Sequence, residues 1–160
     1  MNLSIKIIAI VFLISSGCQP KKDDSFAGKI RLTELNGQKI DLSSYRGKTV
    51  FINVWATWCK PCIEEMPSIS EAKSILKDKN IEFLFASDES EDRIESFASK
   101  RQLDLHYVRL ENMEELQIMA LPTTYVLNAE GEVEFSESGY RKWDDKSNIE
   151  LLTKIIEDNE

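Results

Sequence analysis

Histidine is almost missing from these 160 residues: there is one, His106, and only three cysteines accompany it. A structural zinc site needs four thiolate or imidazole ligands in closely spaced pairs. One C-x-x-C pair with no second pair and no paired histidines excludes that class. Basic charge is also short, 20 Lys and Arg against 28 Asp and Glu for a net charge of −8, and no basic stretch forms a nucleic-acid footprint. Nucleic acid is therefore not an expected partner, and the acidic surface serves solubility. No repeat and no low-complexity block is present, and the length fits one domain. Long apolar runs are missing as well. The longest, Ile7 to Ile14, is far below the roughly 20 residues that cross a bilayer as a helix.

What is there begins with that run. "MNLSIKIIAIVFLISSG" has a lysine, a short apolar middle and small residues Ser15, Ser16 and Gly17, the plan of a secretory signal. Cys18 follows at once, and "SSGC" resembles the lipobox of bacterial lipoproteins, with Ser15 where a Leu is usual. That resemblance implies cleavage of residues 1–17 and a lipid anchor on Cys18; several chains on one residue would hold stably. A signal cut elsewhere would instead leave Cys18 a free thiol. Residues 18–27, with the polar stretch "QPKKDDS", are expected to be a flexible tether, leaving 28–160 as the folded domain. Acids soon after the cysteine resemble surface-export signals of some Gram-negative bacteria, so the expected place is the cell envelope, facing the periplasm or the cell surface.

If Cys18 is acylated, Cys59 and Cys62 remain, in "WATWCKPCIEEMP". An exported location permits disulfides. A staple gains with the length of the loop it closes, and two intervening residues restrain little, so the spacing favours redox chemistry. "TVFINVWA" is a nearly continuous apolar, β-branched and aromatic run, suited to a central strand covered on both faces. From Lys60 the period turns helical, with Ile63, Met66, Ile69, Ala72 and Leu76 on one stripe and Pro67 expected to kink it. Cys59 thus falls where a strand meets a helix. The unpaired N–H groups and positive dipole end there lower a thiol pKa from its usual value near 8.5. Cys62, one turn on, is sheltered behind it. Pro61 pre-sets the first turn, and Lys60 adds positive charge.

"IRLTEL" and "IDLSSY" read as a hairpin around Asn36-Gly37. "IEFLFAS", "LHYVRL" and "TTYVLN" read as strands, "VEFSESGY" as a hairpin partner. "ESEDRIESFASKRQ", "NMEELQIM" and "SNIELLTKIIEDN" read as helices. The order predicts an α/β sandwich with a mixed central sheet.

"NVWATWCKPC" together with "ALPTTYVLNAEGEV" resembles the thioredoxin superfamily, and "IDLSSYRGKTVFINVWATWCKPCIEEMP" is similar to its TlpA/ResA-like branch of anchored extracytoplasmic thiol-disulfide oxidoreductases. The resemblance runs from about Ile30 to the C-terminus. It implies a thioredoxin-like three-layer sandwich, a mixed sheet flanked by helices with an N-terminal β-hairpin extension. It implies Cys59 as nucleophile, Cys62 as resolving thiol and a redox disulfide between them. Pro122 matches a cis-proline facing that disulfide; an X–Pro bond makes cis cheap, and Leu121 can then pair with an extended peptide. Trp58, Lys60, Pro61, Leu121 and Thr123 are the expected substrate contacts.

Cytoplasmic thioredoxins carry an Asp six residues before the first cysteine; here it is Asn53, which cannot transfer a proton. Glu65, three residues after Cys62, matches an acid of the TlpA/ResA branch, and partial burial would raise its pKa and let it exchange protons with Cys62. His106 reads as a strand-face residue without chemistry, Trp55 and Phe51 as core. Trp143 and Tyr140 suit either a partner surface or packing of the last helix. No cofactor and no metal are implied. The implied partners are disulfide-containing exported proteins, a membrane electron-donor thiol protein and the membrane itself through the anchor, with the domain a monomer. Running the same cycle backwards gives an oxidase or isomerase. A peroxidase is suggested by "LSSYRGK", which resembles peroxiredoxins, but the Thr those proteins place three residues before their cysteine is Ala56 here. A binding module without catalysis is the remaining alternative.

Overall fold

The computed structural model describes residues 25–101 and 103–159. Its centre is a seven-stranded mixed sheet. In chain order the strands are β1 (Leu32–Glu34), β2 (Lys39–Ile40), β3 (Thr49–Val54), β4 (Ile81–Ser87), β5 (His106–Leu110), β6 (Thr123–Leu127) and β7 (Val133–Ser138), and in space they lie β2-β1-β5-β4-β3-β6-β7. β3, β4 and β5 are parallel to one another; every other pairing is antiparallel. All six residues of β3 are buried, as its unbroken apolar run requires.

Helix α2 (Lys60–Ile75) crosses from β3 to β4, and α3 (Glu91–Ala98) from β4 to β5. Both crossovers step in the same direction along the sheet, so right-handed connections put both helices on one face. The C-terminal α4 (Lys146–Glu157) joins them there, and Phe51, Trp55, Met66, Ile69, Ile94, Trp143, Leu152 and Ile156 share one core. The other face is covered by shorter pieces: α1 (Phe26–Lys29), a 3-10 turn at Leu42–Tyr45 and the segment around Met113–Ile118, packed on Val50, Ile52, Leu84 and Val108. Alternation along β3 sends Phe51 to the α2 face and Val50, Ile52 and Val54 to the other. Asn53, in step with Phe51, therefore faces α2.

Several expectations need correction. Phe26 and Ala27 belong to the fold rather than to a tether. Ser25 caps α1 through its hydroxyl, Phe26 stacks on Tyr125 at 4.6 Å, and the Ala27 N–H donates to the Gly131 carbonyl. Gly131 has φ +79°, and a Cβ there would come within 2.6 Å of the Ala27 Cβ, so the position demands glycine. "IDLSSY" is a strand only up to Ile40. Asp41 accepts the Ser43 N–H and starts the 3-10 turn instead. "NMEELQIM" forms turns and no helix. The buried Asn112 side chain is engaged by the N-terminal backbone, accepting from Arg31 N and donating to the Lys29 carbonyl, and Gln117 closes the segment at φ 54°. α3 stops at Ala98, so Lys100 and Arg101 of "ESEDRIESFASKRQ" lie beyond the helix. The helix expected to kink at Pro67 does run on through it, with Pro67 exposed, so that expectation stands unaltered.

Candidate active site

The strand directions gather the site at one edge of the sheet. Parallel β3 and β4 both end there; antiparallel β6 begins there, with Thr123 opposite Val54; β7 ends there, with Ser138 opposite Thr123. Cys59, five residues beyond β3, Glu89, two beyond β4, Pro122, just before β6, and Arg141, three beyond β7, are thereby brought to a common edge. The N-terminal α1 lies at the opposite edge, beside Gly131.

Cys59 is the N-cap of α2. Its Sγ accepts the Cys62 N–H at 3.3 Å, and Pro61 occupies the opening turn. Cys59 and Cys62 are joined as a disulfide with their Cα atoms 5.3 Å apart. Cys62 is fully buried and Cys59 is 4 % exposed. An exposed attacker in front of a sheltered Cys62 is not what the disulfide state shows: the Cys59 sulfur is held by the covalent bond and the cap, and the residue is nearly buried. The neighbouring Trp58 is 69 % exposed. Lys60 and Pro61 are exposed too, with the Lys60 ammonium 3.6 Å from Glu64.

One turn after Cys62, Glu65 is fully buried. Its Oε1 accepts from Asn53 Nδ2 at 2.6 Å and its Oε2 from the Arg141 backbone N–H at 3.0 Å. Burial pushes its pKa up to about 7, against the two hydrogen bonds, which favour the charged form. Its surroundings are held firmly. The Ser68 hydroxyl donates to the Glu65 carbonyl and accepts from Trp143 N–H, while the Arg141 guanidinium lies over the Phe135 and Trp143 rings and pairs with Glu137. Trp143 is thus core, whereas Tyr140 is half exposed.

The loop before Cys59 is clamped by a residue that sequence reasoning missed. Glu89 accepts from Thr57 N–H at 2.6 Å and from the Thr57 hydroxyl at 2.8 Å, and Arg93 Nε lies 3.0 Å from the same carboxylate. The available signal was positional: a polar residue just past the end of a strand parallel to β3.

The Leu121–Pro122 peptide bond is cis. Pro122 is buried and Leu121 half-buried against both core clusters. Thr123, expected among the substrate contacts, is turned inward: its hydroxyl donates to the Ala120 carbonyl at 2.7 Å and lies 2.8 Å from Ser138 Oγ. His106 is away from this edge, 3.0 Å from Glu34 across the β1–β5 pairing. Cys18 and the signal and tether up to residue 24 lie outside the described residues. Among the described residues there is no cluster of metal-ligating groups and no helix long and apolar enough to cross a membrane.

The AhpC/TSA family model matches residues 24–136. Thiol-disulfide oxidoreductase ResA of Bacillus thuringiensis subsp. konkukian is 33 % identical over 135 residues, covering 78 % of this chain and 77 % of that one. The protein of the same name from Geobacillus kaustophilus is 38 % identical over 107 residues, 64 % of this chain and 61 % of its own. Among solved structures, a thiol:disulfide interchange protein from Bacteroides sp. superposes with a TM-score of 0.67 at 21 % identity, over 80 % of this chain and 86 % of that one, and shares the thioredoxin-like fold.

Proposed function

The chain belongs to the AhpC/TSA family and is a thiol-disulfide oxidoreductase, and from that premise we propose that it reduces disulfides of exported proteins from a lipid anchor on Cys18 in the bacterial cell envelope. The observation that supports this reading most is the Cys59–Cys62 pair at the N-terminus of α2 with the buried carboxyl of Glu65 one turn behind it.

In the reduced enzyme the Cys59 thiolate attacks one sulfur of a substrate disulfide. The S–S bond breaks, and the departing substrate thiolate takes up a proton. A mixed disulfide now joins Cys59 to the substrate. Glu65 accepts the Cys62 thiol proton, the Cys62 thiolate attacks the Cys59 sulfur, and the second substrate thiol leaves. Two electrons have passed to the substrate and the enzyme holds its disulfide; a dithiol protein on the membrane must reduce it again. Trp58, Lys60, Pro61 and the backbone at Leu121 form the contact surface, with Pro122 behind it. Thr123 holds the shape of that loop from inside. The domain acts as a monomer.

The second reading is a peroxidase, suggested by the likeness of "LSSYRGK" to peroxiredoxins. Against it stands Ala56, fully buried where peroxiredoxins carry a Thr, and the hydroxyl of neighbouring Thr57 is held by Glu89.

Equilibration of the protein with graded thiol buffers at pH 7, followed by alkylation of free thiols, tests the direction. A midpoint at or below about −230 mV is expected of a reductase; one of about −120 to −180 mV would make it an oxidase or isomerase. No reversible two-electron couple would leave only a binding module. The anchor is tested separately: cells fed a labelled fatty acid should label the protein, and Cys18→Ala should abolish the label. Label retained by that variant removes the anchor from the proposal.

A further inference from the structure

Asn53 has two features that its inability to carry a proton does not explain. Both hydrogens of its amide point into the Glu65 site, one on Glu65 Oε1 at 2.6 Å and one on Thr124 Oγ1 at 3.0 Å. Its own Oδ1 is buried and finds no hydrogen-bond partner among the described residues. A buried carbonyl left unpaired costs about 1–3 kcal/mol, so such an arrangement calls for a reason.

The reason follows from what happens when Glu65 takes a proton. Ionised, it accepts at both oxygens. Protonated, one oxygen becomes a donor and must face an acceptor. At Oε2 it would face the Arg141 N–H, a backbone donor that cannot turn. At Oε1 it would face the Asn53 amide, which can rotate by half a turn and exchange oxygen for nitrogen. The Asn53 oxygen would then accept from the Glu65 O–H, and from the Thr124 hydroxyl, which can donate as well as accept. The amide nitrogen would move to the place where the oxygen now lies unpaired.

We propose that Asn53 is the positioning residue of the Glu65 proton cycle: its amide donates to the ionised carboxyl and turns over to accept from the protonated one. This rests on the reading of Glu65 as proton acceptor for Cys62. It explains why an amide suits this position. An apolar residue would satisfy neither state, and a second carboxyl would compete for the proton. The charged and titratable groups around Glu65 are the Cys62 thiol on its own helix and, from the segment after β7, the Arg141 guanidinium, itself paired with Glu137. From β3 and β6 come only the neutral Asn53 and Thr124.

The test is an NMR titration of the whole protein from pH 5 to 9, following the Glu65 carboxyl carbon and the Asn53 side-chain amide together. The amide signals are expected to shift with the same midpoint as the carboxyl. In Asn53→Ala, loss of the donor to the ionised form should raise the Glu65 midpoint by about one unit. The pH profile of disulfide reduction should rise with it. Amide signals that stay constant while Glu65 titrates overturn the proposal, and so does a Glu65 that keeps one state throughout; both are read on the wild type, whether or not the variant folds. The underlying reading fails differently: Glu65→Gln would leave the pH profile of reduction unchanged even though the Asn53 amide follows Glu65 in the wild type.

Discussion

Cys59→Ser is expected to bring disulfide reduction down to the uncatalysed background, and Cys62→Ser to stop the reaction one step later with substrate still attached. The two results differ because the sulfurs occupy different places. Cys59 caps α2, where unpaired N–H groups and the dipole stabilise a thiolate, and of the two cysteines of the pair it is the one that keeps any exposed surface. A serine hydroxyl there stays protonated near neutral pH and attacks no disulfide. Cys62 is fully sealed behind it. Without it, Cys59 still attacks, but nothing inside the enzyme can break the mixed disulfide. Mass spectrometry of Cys62→Ser after incubation with a disulfide substrate should show a covalent adduct that a thiol reductant removes. An adduct on Cys59→Ser and none on Cys62→Ser would reverse the roles. Undiminished turnover in both variants would detach the activity from this pair.

How much of this site could be read in the sequence depended on the range of the interaction. The β3 run "TVFINV" and the switch to a helical period at Lys60 are local patterns, and they located the cysteines at a strand–helix junction. The burial of Glu65 was less legible, because Glu64 and Glu65 are adjacent and only packing decides which faces the core. The sheet side of α2 takes Glu65 with Met66 and Ile69, and Glu64 is left to pair with Lys60 at the surface. The Thr57–Glu89 clamp was not legible at all. It exists because β3 and β4 run parallel and end together, which no local pattern reports. The N-terminal boundary failed for a similar reason. α1 has four residues and no periodicity to detect, and it is held by contacts with Tyr125 and Gly131 about a hundred residues away. "NMEELQIM" shows the opposite error, a helix-forming composition overridden because Asn112 is committed to the backbone of Lys29 and Arg31.

Glu65→Gln should make the protein more stable above neutral pH and a poorer enzyme. Below about pH 4.5 the carboxyl is protonated in the folded and the unfolded chain alike. Between pH 4.5 and 7 the folded protein keeps a proton that the unfolded chain has released, so stability falls as pH rises through this window. Above pH 7 the loss is complete. At 1.36 kcal/mol per pKa unit it amounts to something on the order of 3 kcal/mol. Glutamine carries no charge to bury and escapes that loss. Its oxygen can accept the Arg141 N–H and its amide nitrogen can donate to a turned Asn53, so the site stays satisfied. Denaturation midpoints should therefore agree at pH 4.5 and favour the variant at pH 8. The cost falls on the reaction: with no acceptor for its proton, Cys62 should resolve the mixed disulfide about 10²-fold more slowly at pH 7. The deficit should shrink as pH passes the ordinary thiol value near 8.5, where solvent takes the proton instead. Equal rates at pH 7 with no gain in stability at pH 8 would mean that Glu65 neither carries a buried charge nor moves a proton.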